Sequence, residues 1–282
     1  LSRRLIACLM VLVLSMSARA CVGSRPWGMG GAFVAVADDG AAVYWNPAGL
    51  IQLQDKEVQF TATLVEEGGF RYRYFLAYTE PDTGLGAGGI SWIQSRTPLG
   101  AVDTDGHAFT YSYARELADD FALGVNVRYE RRRKDTKDRP KASGYSVDIG
   151  ALFAVGPRLQ AGLLLQDVFA TDIEWKDGDR VEQGVNFRPG LAWRPADNLL
   201  LAVDLYNTSK LFDEGSSLRL GGELTAGDLK LRAGADRQFE VGTVWTAGIG
   251  YGNGPWQVDY AILTGVDEWQ VDVQQVGLTY RF

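Results

Sequence analysis

The sequence predicts an all-β fold: a transmembrane antiparallel β-barrel of about fourteen strands. Three observations lead there. From Val58 to the C-terminus the chain is a series of segments of about ten residues in which apolar and polar side chains alternate. Such alternation puts one face of each strand toward lipid and the other toward a lumen. Short turns and longer polar connections also alternate along the series, as they do when hairpins cross a membrane between a compact side and a loop-bearing side. The last residue is Phe282, in phase with Val276, Leu278 and Tyr280.

Residues 1–20 read as a secretory leader. Arg3 and Arg4 form a basic start, Leu5 to Met16 is apolar, and Ser17-Ala18-Arg19-Ala20 ends in an A-x-A pattern. The apolar part is too short to span a bilayer as a helix, and no later stretch approaches eighteen apolar residues. The formal charge is −7, and removing Arg3, Arg4 and Arg19 takes it to −10. That acidity argues against nucleic acid as a partner. Cys8 lies in the leader, which leaves Cys21 and no disulfide within the mature chain. Cys21 follows the expected cut, so lipidation is one possibility and a leftover thiol the other; Ala18 and Arg19 depart from the usual lipoprotein pattern.

Residues 21–55 differ from everything that follows. Gly28 to Ala37 is dense in glycine and small apolar residues. Asp38 and Asp39 are good N-cap residues for a short helix over Gly40 to Trp45. Asn46-Pro47-Ala48-Gly49 is turn chemistry that stops it. The segment is too apolar to lie free in water and too short to fold alone, so it needs a host. A barrel over residues 56–282 supplies one.

The wording of Gly28 to Leu50, GMGGAFVAVADDGAAVYWNPAGL, resembles the N-terminal hatch of the FadL/PorV superfamily of outer-membrane proteins. The match rests on Gly28, Gly30, Gly31, Ala32, Phe33, Ala35, Ala37, Asp38, Asp39, Ala42, Asn46, Pro47, Ala48, Gly49 and Leu50. The resemblance implies an outer-membrane location and a fourteen-stranded barrel with its N-terminus folded inside. It implies, in the FadL branch, passive uptake of long-chain fatty acids and other hydrophobic molecules. In the PorV branch it implies a platform for protein secretion or surface attachment. It also implies that barrel-assembly machinery recognises the terminal aromatic strand.

Taken in order, the strands begin with Val58, Phe60, Ala62 and Leu64 on one face and Gln59, Thr61 and Thr63 on the other. Phe70, Tyr72, Tyr74, Leu76 and Tyr78 alternate with Arg71, Arg73 and Phe75. Leu85 to Gln94 is a glycine-rich third strand, and Phe109, Tyr111 and Tyr113 mark a fourth. Phe121 to Glu130 and Tyr145 to Phe153 alternate cleanly. Leu159 to Gln166 follows, then Asn186 to Arg194, which Pro189 weakens. Leu199 to Tyr206, Ser217 to Thr225, Leu229 to Asp236, Trp245 to Tyr251 and Trp256 to Ile262 complete the run. In the last strand Gln270, Asp272 and Gln274 share the outward phase, so that strand must bulge or leave the membrane there. The long connections are expected at Arg131 to Lys141, Thr171 to Gly184 and Asn207 to Gly215.

Enzyme chemistry is poorly supported. His107 is the one histidine, expected in the loop before the fourth strand; there is no G-x-S-x-G elbow and no Cys/His cluster. No cofactor or metal is expected. Asp38 and Asp39 could be imagined on calcium but fit better as a cap bonded to the lumen wall. The inward phase carries mixed charges, which suggests paired networks. Among them Arg71, Arg73 and Arg128 are candidates to hold the head group of an anionic amphiphile, because the planar guanidinium matches a carboxylate. In the FadL family a kink in the third strand opens a lateral exit. Carried onto this chain, that points to Gly86, Gly88 and Gly89, with tight packing against the hatch as the other reading. The basic stretch Arg131 to Lys141 suits either lipopolysaccharide phosphates or solvent. The expected partners are therefore membrane lipid, a hydrophobic small molecule, lipopolysaccharide and the assembly machinery, around a monomer.

Overall fold

The computed structural model describes residues 22–65, 71–99, 102–208, 215–266 and 271–282. The expected leader and Cys21 lie outside them. The described residues form a closed barrel of fourteen antiparallel strands, each bonded to its neighbours in sequence. They are β1 (Glu57–Val65), β2 (Arg71–Glu80), β3 (Ala87–Leu99), β4 (Val102–Ala118), β5 (Phe121–Lys134), β6 (Lys141–Gly156) and β7 (Leu159–Ala170). A small hairpin, β8 (Ile173–Glu174) and β9 (Arg180–Val181), stands apart from the wall. The wall resumes with β10 (Asn186–Ala196), β11 (Leu199–Tyr206), β12 (Ser217–Ala226), β13 (Leu229–Gln238), β14 (Gly242–Asn253), β15 (Trp256–Thr264) and β16 (Val271–Arg281). β1 pairs with β16 from Glu57↔Arg281 to Val65↔Val273 and closes the ring. Closure leaves no strand edge unpaired, a requirement for backbone in lipid.

The alternation behaves as its period dictates. Phe60, Leu76, Ile90, Phe109, Tyr111, Val127 and Leu278 are exposed on the outer wall. Their neighbours Thr61, Ala77, Ser91, Thr110, Asn126 and Thr279 are buried in the lumen. The polar outward phase near the end of the chain is resolved as expected by a bulge. The β15–β16 register shifts between Leu263 and Thr264, and the outward Gln274 accepts a hydrogen bond from the Tyr260 hydroxyl at 2.8 Å.

Three strands run further than the sequence suggests. β3, β4 and β5 continue past the apolar band into a charged extension, where Arg96 reaches Asp103, Asp105 and Asp135, and Arg133 reaches Asp105. Cross-strand pairs of opposite charge hold such an extension together in water. Two expectations are corrected in consequence. His107 lies within β4, where its Nδ1 accepts from Trp92 Nε1 at 3.3 Å. The basic stretch is not one long loop: Arg131 to Lys134 end β5, Lys141 begins β6, and the connection is residues 135–140.

The Arg96–Asp135 contact makes a testable statement about this rim. Arg96 donates to Asp135 at 2.5 Å, and that bond holds the Asp135 carboxyl below its ordinary value. A depressed folded-state value means the contact is at full strength above the unfolded carboxylate range and is lost as pH falls through the folded value. A spin label placed by Lys137→Cys in a Cys21→Ser background should therefore keep constant mobility from neutral pH down to about 4, near the free aspartate value, and loosen only below it. Loosening already near pH 6 would show that Asp135 does not hold the turn.

Candidate functional site: the plugged lumen

Residues 22–54 fold inside the barrel as α1 (Ser24–Gly28), α2 (Ala42–Trp45) and a 3-10 helix (Pro47–Gln52), joined by turns. Val22, Met29, Phe33, Ala35, Ala37, Trp45, Ala48 and Leu50 are fully buried. The short helix begins two residues later than expected, with Ala41 rather than an aspartate at its N-cap. The aspartates instead anchor the plug. Asp38 meets Arg25 at 2.5 Å and Arg194 at 3.1 Å, while Asp39 meets Arg25 at 3.0 Å and accepts from Ala41 N at 2.9 Å. Their oxygens are thus taken by Arg25, Arg194 and the Ala41 N–H of the protein itself. Asn46 does more than stop a helix. Its amide donates to Val34 O at 2.8 Å and to Ala151 O of the wall at 3.1 Å, and its carbonyl accepts from Ala48 N. Pro47 opens the 3-10 turn, a position where its missing N–H costs nothing.

The hatch fits because the wall is hollowed to receive it. A Cβ added at Gly124 would lie 2.3 Å from Ala48 N, at Gly221 2.3 Å from Met29 O, and at Gly234 2.2 Å from Gly30 N. At Gly150 it would lie 2.1 Å from Asn46 Oδ1, and at Gly162 2.5 Å from Val34 O. Inward glycines on successive strands therefore let hatch backbone lie directly against wall backbone. The hatch glycines reciprocate. Gly30 and Gly31 adopt φ of 66° and 76°, Gly28 abuts Arg232 and Gly248, and a Cβ at Gly49 would strike Ala37 O. Phe33 packs edge-on to Trp45 and under Arg25.

Hydrogen bonds and ion pairs fasten the same side. Phe33 N and Val34 N both donate to Asp204 Oδ2, at 2.6 and 2.8 Å. Gly30 N donates to Thr246 Oγ1, and Arg25 bonds Glu223, which also takes Arg232 at 2.6 Å. Arg232 in turn holds Asp259. The mixed inward charges form the paired network that their phase suggested.

Of the head-group candidates, Arg71 starts β2 and its side chain lies outside the described residues. Arg73 and Arg128 gather with Arg188 around Tyr44, on the outer side of the hatch. Arg128 is already bonded to Asp167 and lies 3.6 Å from Asp148. Asp167 reaches it through a β-bulge in β7, where Asp167 has φ of 57°. The Tyr206 ring takes both Arg188 and Arg219, each guanidinium carbon 4.3 Å from the ring centre. Neither the Arg–Tyr–Arg stack nor the role of Arg25 was read from the sequence. Alternation gave an inward phase of mixed charges that includes Arg188 and Arg219, but no local pattern says that three strands bring them together with Tyr206.

The β8–β9 hairpin packs against the start of β6 and the end of β5. Ile173 and Trp175 are buried against Ala142, and Lys134 lies over the Trp175 ring while bonding Asp177 and Asp179 at 2.6 and 2.5 Å.

The third strand is continuous. β3 pairs with β2 from Glu80↔Gly88 to Arg73↔Ser95, and with β4 from Ala87↔Ala114 to Leu99↔Val102. Gly88 and Gly89 sit inside that ladder, and the wall is closed there. Gly86 precedes it with φ of 104°. A Cβ at Gly89 would meet Val43 of the hatch at 2.6 Å, whereas at Gly88 the nearest atom is 3.9 Å away. Gly88→Ala should leave thermal stability within about 0.5 kcal/mol of wild type, as outward surface changes do. Gly89→Ala should lower it by about 1–3 kcal/mol through overpacking. Equal effects in a paired unfolding measurement would remove the hatch contact as the reason for Gly89.

No protein-family model matches the chain, and no curated protein matches it. Solved structures do. The CymD monoaromatic hydrocarbon channel superposes with TM-score 0.74 at 14% identity, covering 93% of this chain and 97% of that one. The P. putida toluene transporter TodX gives 0.69 at 12% identity over 92% and 98%. A Pseudomonas aeruginosa FadL homologue gives 0.64 at 15% identity, again over 92% and 98%. At these identities the likeness establishes the fold alone: the chain shares the barrel architecture of a monoaromatic hydrocarbon channel, a toluene transporter and a FadL homologue.

Proposed function

We propose that this protein is a passive outer-membrane channel for small hydrophobic or amphipathic molecules. The observation that carries the proposal is the wedged hatch. It occupies the lumen against inward glycines around the wall, so the barrel is not an open aqueous pore. A plugged barrel with an apolar exterior suits molecules that partition into lipid. The fold shared with a monoaromatic hydrocarbon channel and a toluene transporter favours aromatic compounds. The arginines around Tyr44 and Tyr206 favour an amphipathic cargo with a carboxylate, of the long-chain fatty-acid kind. Lateral release into the bilayer is the second part of the proposal. Release beside Gly86, Gly88 and Gly89 requires local unpairing of β3. In this scheme residues 1–20 export the chain and are cleaved. The exposed Arg131, Lys137, Arg139 and Lys141 contact lipopolysaccharide phosphates, which charge reversal at these four positions should weaken.

Mass spectrometry of small molecules retained by the barrel in mild detergent tests the proposal. The expected result is a defined apolar or amphipathic compound, with its stoichiometry changed by Gly88→Val together with Gly89→Val. An intact barrel with nothing above the detergent background would favour the platform for protein secretion or surface attachment instead.

A further inference from the structure

The hatch is not held equally all round. Toward β5–β14 it is hydrogen-bonded and ion-paired at nearly every turn, as described above. Toward β1, β2 and β16 one such bond holds it, from Gly40 N to Glu57 Oε2 at 2.8 Å, and beyond it the hatch faces a strip of neutral polar side chains that, among the described residues, carry unbonded polar atoms. These are Gln59, Thr61 and Thr63 of β1, Thr79 of β2, Gln275 of β16, and Ser24 of the hatch itself. All are at least 97% buried. The hydroxyls of Ser24, Thr61, Thr63 and Thr79 are unbonded, Gln59 is unbonded at its oxygen, and Gln275 at both its oxygen and its nitrogen.

Register makes these residues a single feature. Thr63 lies opposite Gln275, Thr61 lies opposite Gly277, and a Cβ at Gly277 would touch Ser24 Oγ at 2.9 Å. Gln59 abuts Gly40 of the hatch, and Thr79 pairs with Glu57. The strip therefore climbs the inside of β1 for about 13 Å, four residues of strand rise. It starts beside the Glu57–Arg281 ion pair at the turn-bearing end and finishes next to Arg73 in the chamber above the hatch. Elsewhere the unbonded buried atoms are mostly spare atoms of groups already paired, as in Asp204, Arg219 and Arg232. Buried hydroxyls and carboxamides without partners are costly and rare, so a concentration of them calls for an occupant.

The occupant's chemistry follows from the strip. Its groups both donate and accept hydrogen bonds, and none carries a charge. Beside them lie Phe75, Val43 and Leu263, all buried and apolar. We infer that the seam between the hatch and β1, β2 and β16 is a binding site for a neutral, small, hydroxyl-bearing molecule with an apolar body, of the phenol class. This rests on the channel reading above and narrows its cargo. Occupation requires the hatch edge at Ser24, Gly40 and Val43 to move off the wall, which breaks two hydrogen bonds: Gly40 N to Glu57 Oε2 at 2.8 Å and Asn126 Nδ2 to Val43 O at 3.0 Å.

Two readouts test this. The first is initial uptake of radiolabelled phenol and toluene by cells carrying the barrel in a lipopolysaccharide-bearing outer membrane. Thr63→Val with Gln275→Leu, both close in shape, should cut barrel-dependent phenol uptake about tenfold, the factor that 1.4 kcal/mol corresponds to. Toluene uptake should stay within about twofold, since one apolar surface replaces another. Phenol uptake equal to wild type overturns the inference. Uptake of neither compound by wild type overturns the channel reading. The second readout decides the site in every case, and needs only the wild-type protein: the anomalous bromine signal in crystals soaked with 4-bromophenol. Bromine between Thr63 and Gln275 supports the site. Bromine elsewhere, or water only along the strip, overturns it.

Discussion

Gly234→Ala is expected to cost about 3 kcal/mol, the upper end of what overpacking does, and to unseat the hatch rather than the wall. The added carbon would lie 2.2 Å from Gly30 N and 2.4 Å from Met29 C, so it strikes backbone that has nowhere to rotate. Gly30 cannot yield easily, because its own φ of 66° is set by the turn and a Cβ there would meet Leu220 O and Ala235 N. Urea unfolding in lipid vesicles measures the loss, and protease sensitivity of residues 22–54 locates it. Gly88→Ala is the control, since the same carbon there meets nothing closer than 3.9 Å. A Gly234→Ala protein as stable as the control would mean that the glycine-lined wall does not set the position of the hatch.

Arg25→Met should cost about as much by a different route. Arg25 is buried and bonds Glu223, Asp38 and Asp39 together. After its loss Glu223 keeps Arg232 and Asp38 keeps Arg194, but Asp39 is left without a cation. Leaving a buried carboxylate uncompensated costs about 3–5 kcal/mol when no partner remains. The retained partners argue for the lower end. Amide exchange of the hatch should speed up while that of β3 to β6 stays unchanged. Adding Asp39→Asn should recover part of the loss, because it removes the stranded charge. Absence of any recovery would place the cost in lost packing on Phe33 rather than in electrostatics.

Both results depend on contacts that only the folded barrel makes, and this marks what the sequence could and could not say. The strand count and phase were legible, because a period of two survives Pro189, glycines and a bulge. The hatch was legible as a segment, because small residues and turn chemistry set it apart from the strands. Which of its residues anchor was not: Asp38 and Asp39 look like helix caps locally, yet Arg25 and Arg194 claim them from elsewhere. The charged extension of β3 to β5 was misread because it is polar on both faces, so alternation carries no signal and a basic strand end looks like a loop. The β8–β9 hairpin has two residues per strand and no periodicity at all. The strip on β1 was visible as inward Gln59, Thr61 and Thr63. That these groups lack partners depends on Gln275, more than two hundred residues later, and on which way the hatch turns.

The central claim is that small apolar molecules cross the outer membrane through this plugged barrel. The most direct measurement is the initial rate of labelled toluene and labelled oleate uptake by cells with a lipopolysaccharide-bearing outer membrane, with and without the inserted barrel. The proposed channel predicts faster uptake of at least one compound when the barrel is present. Identical rates with and without a correctly folded barrel, for both compounds, would contradict it.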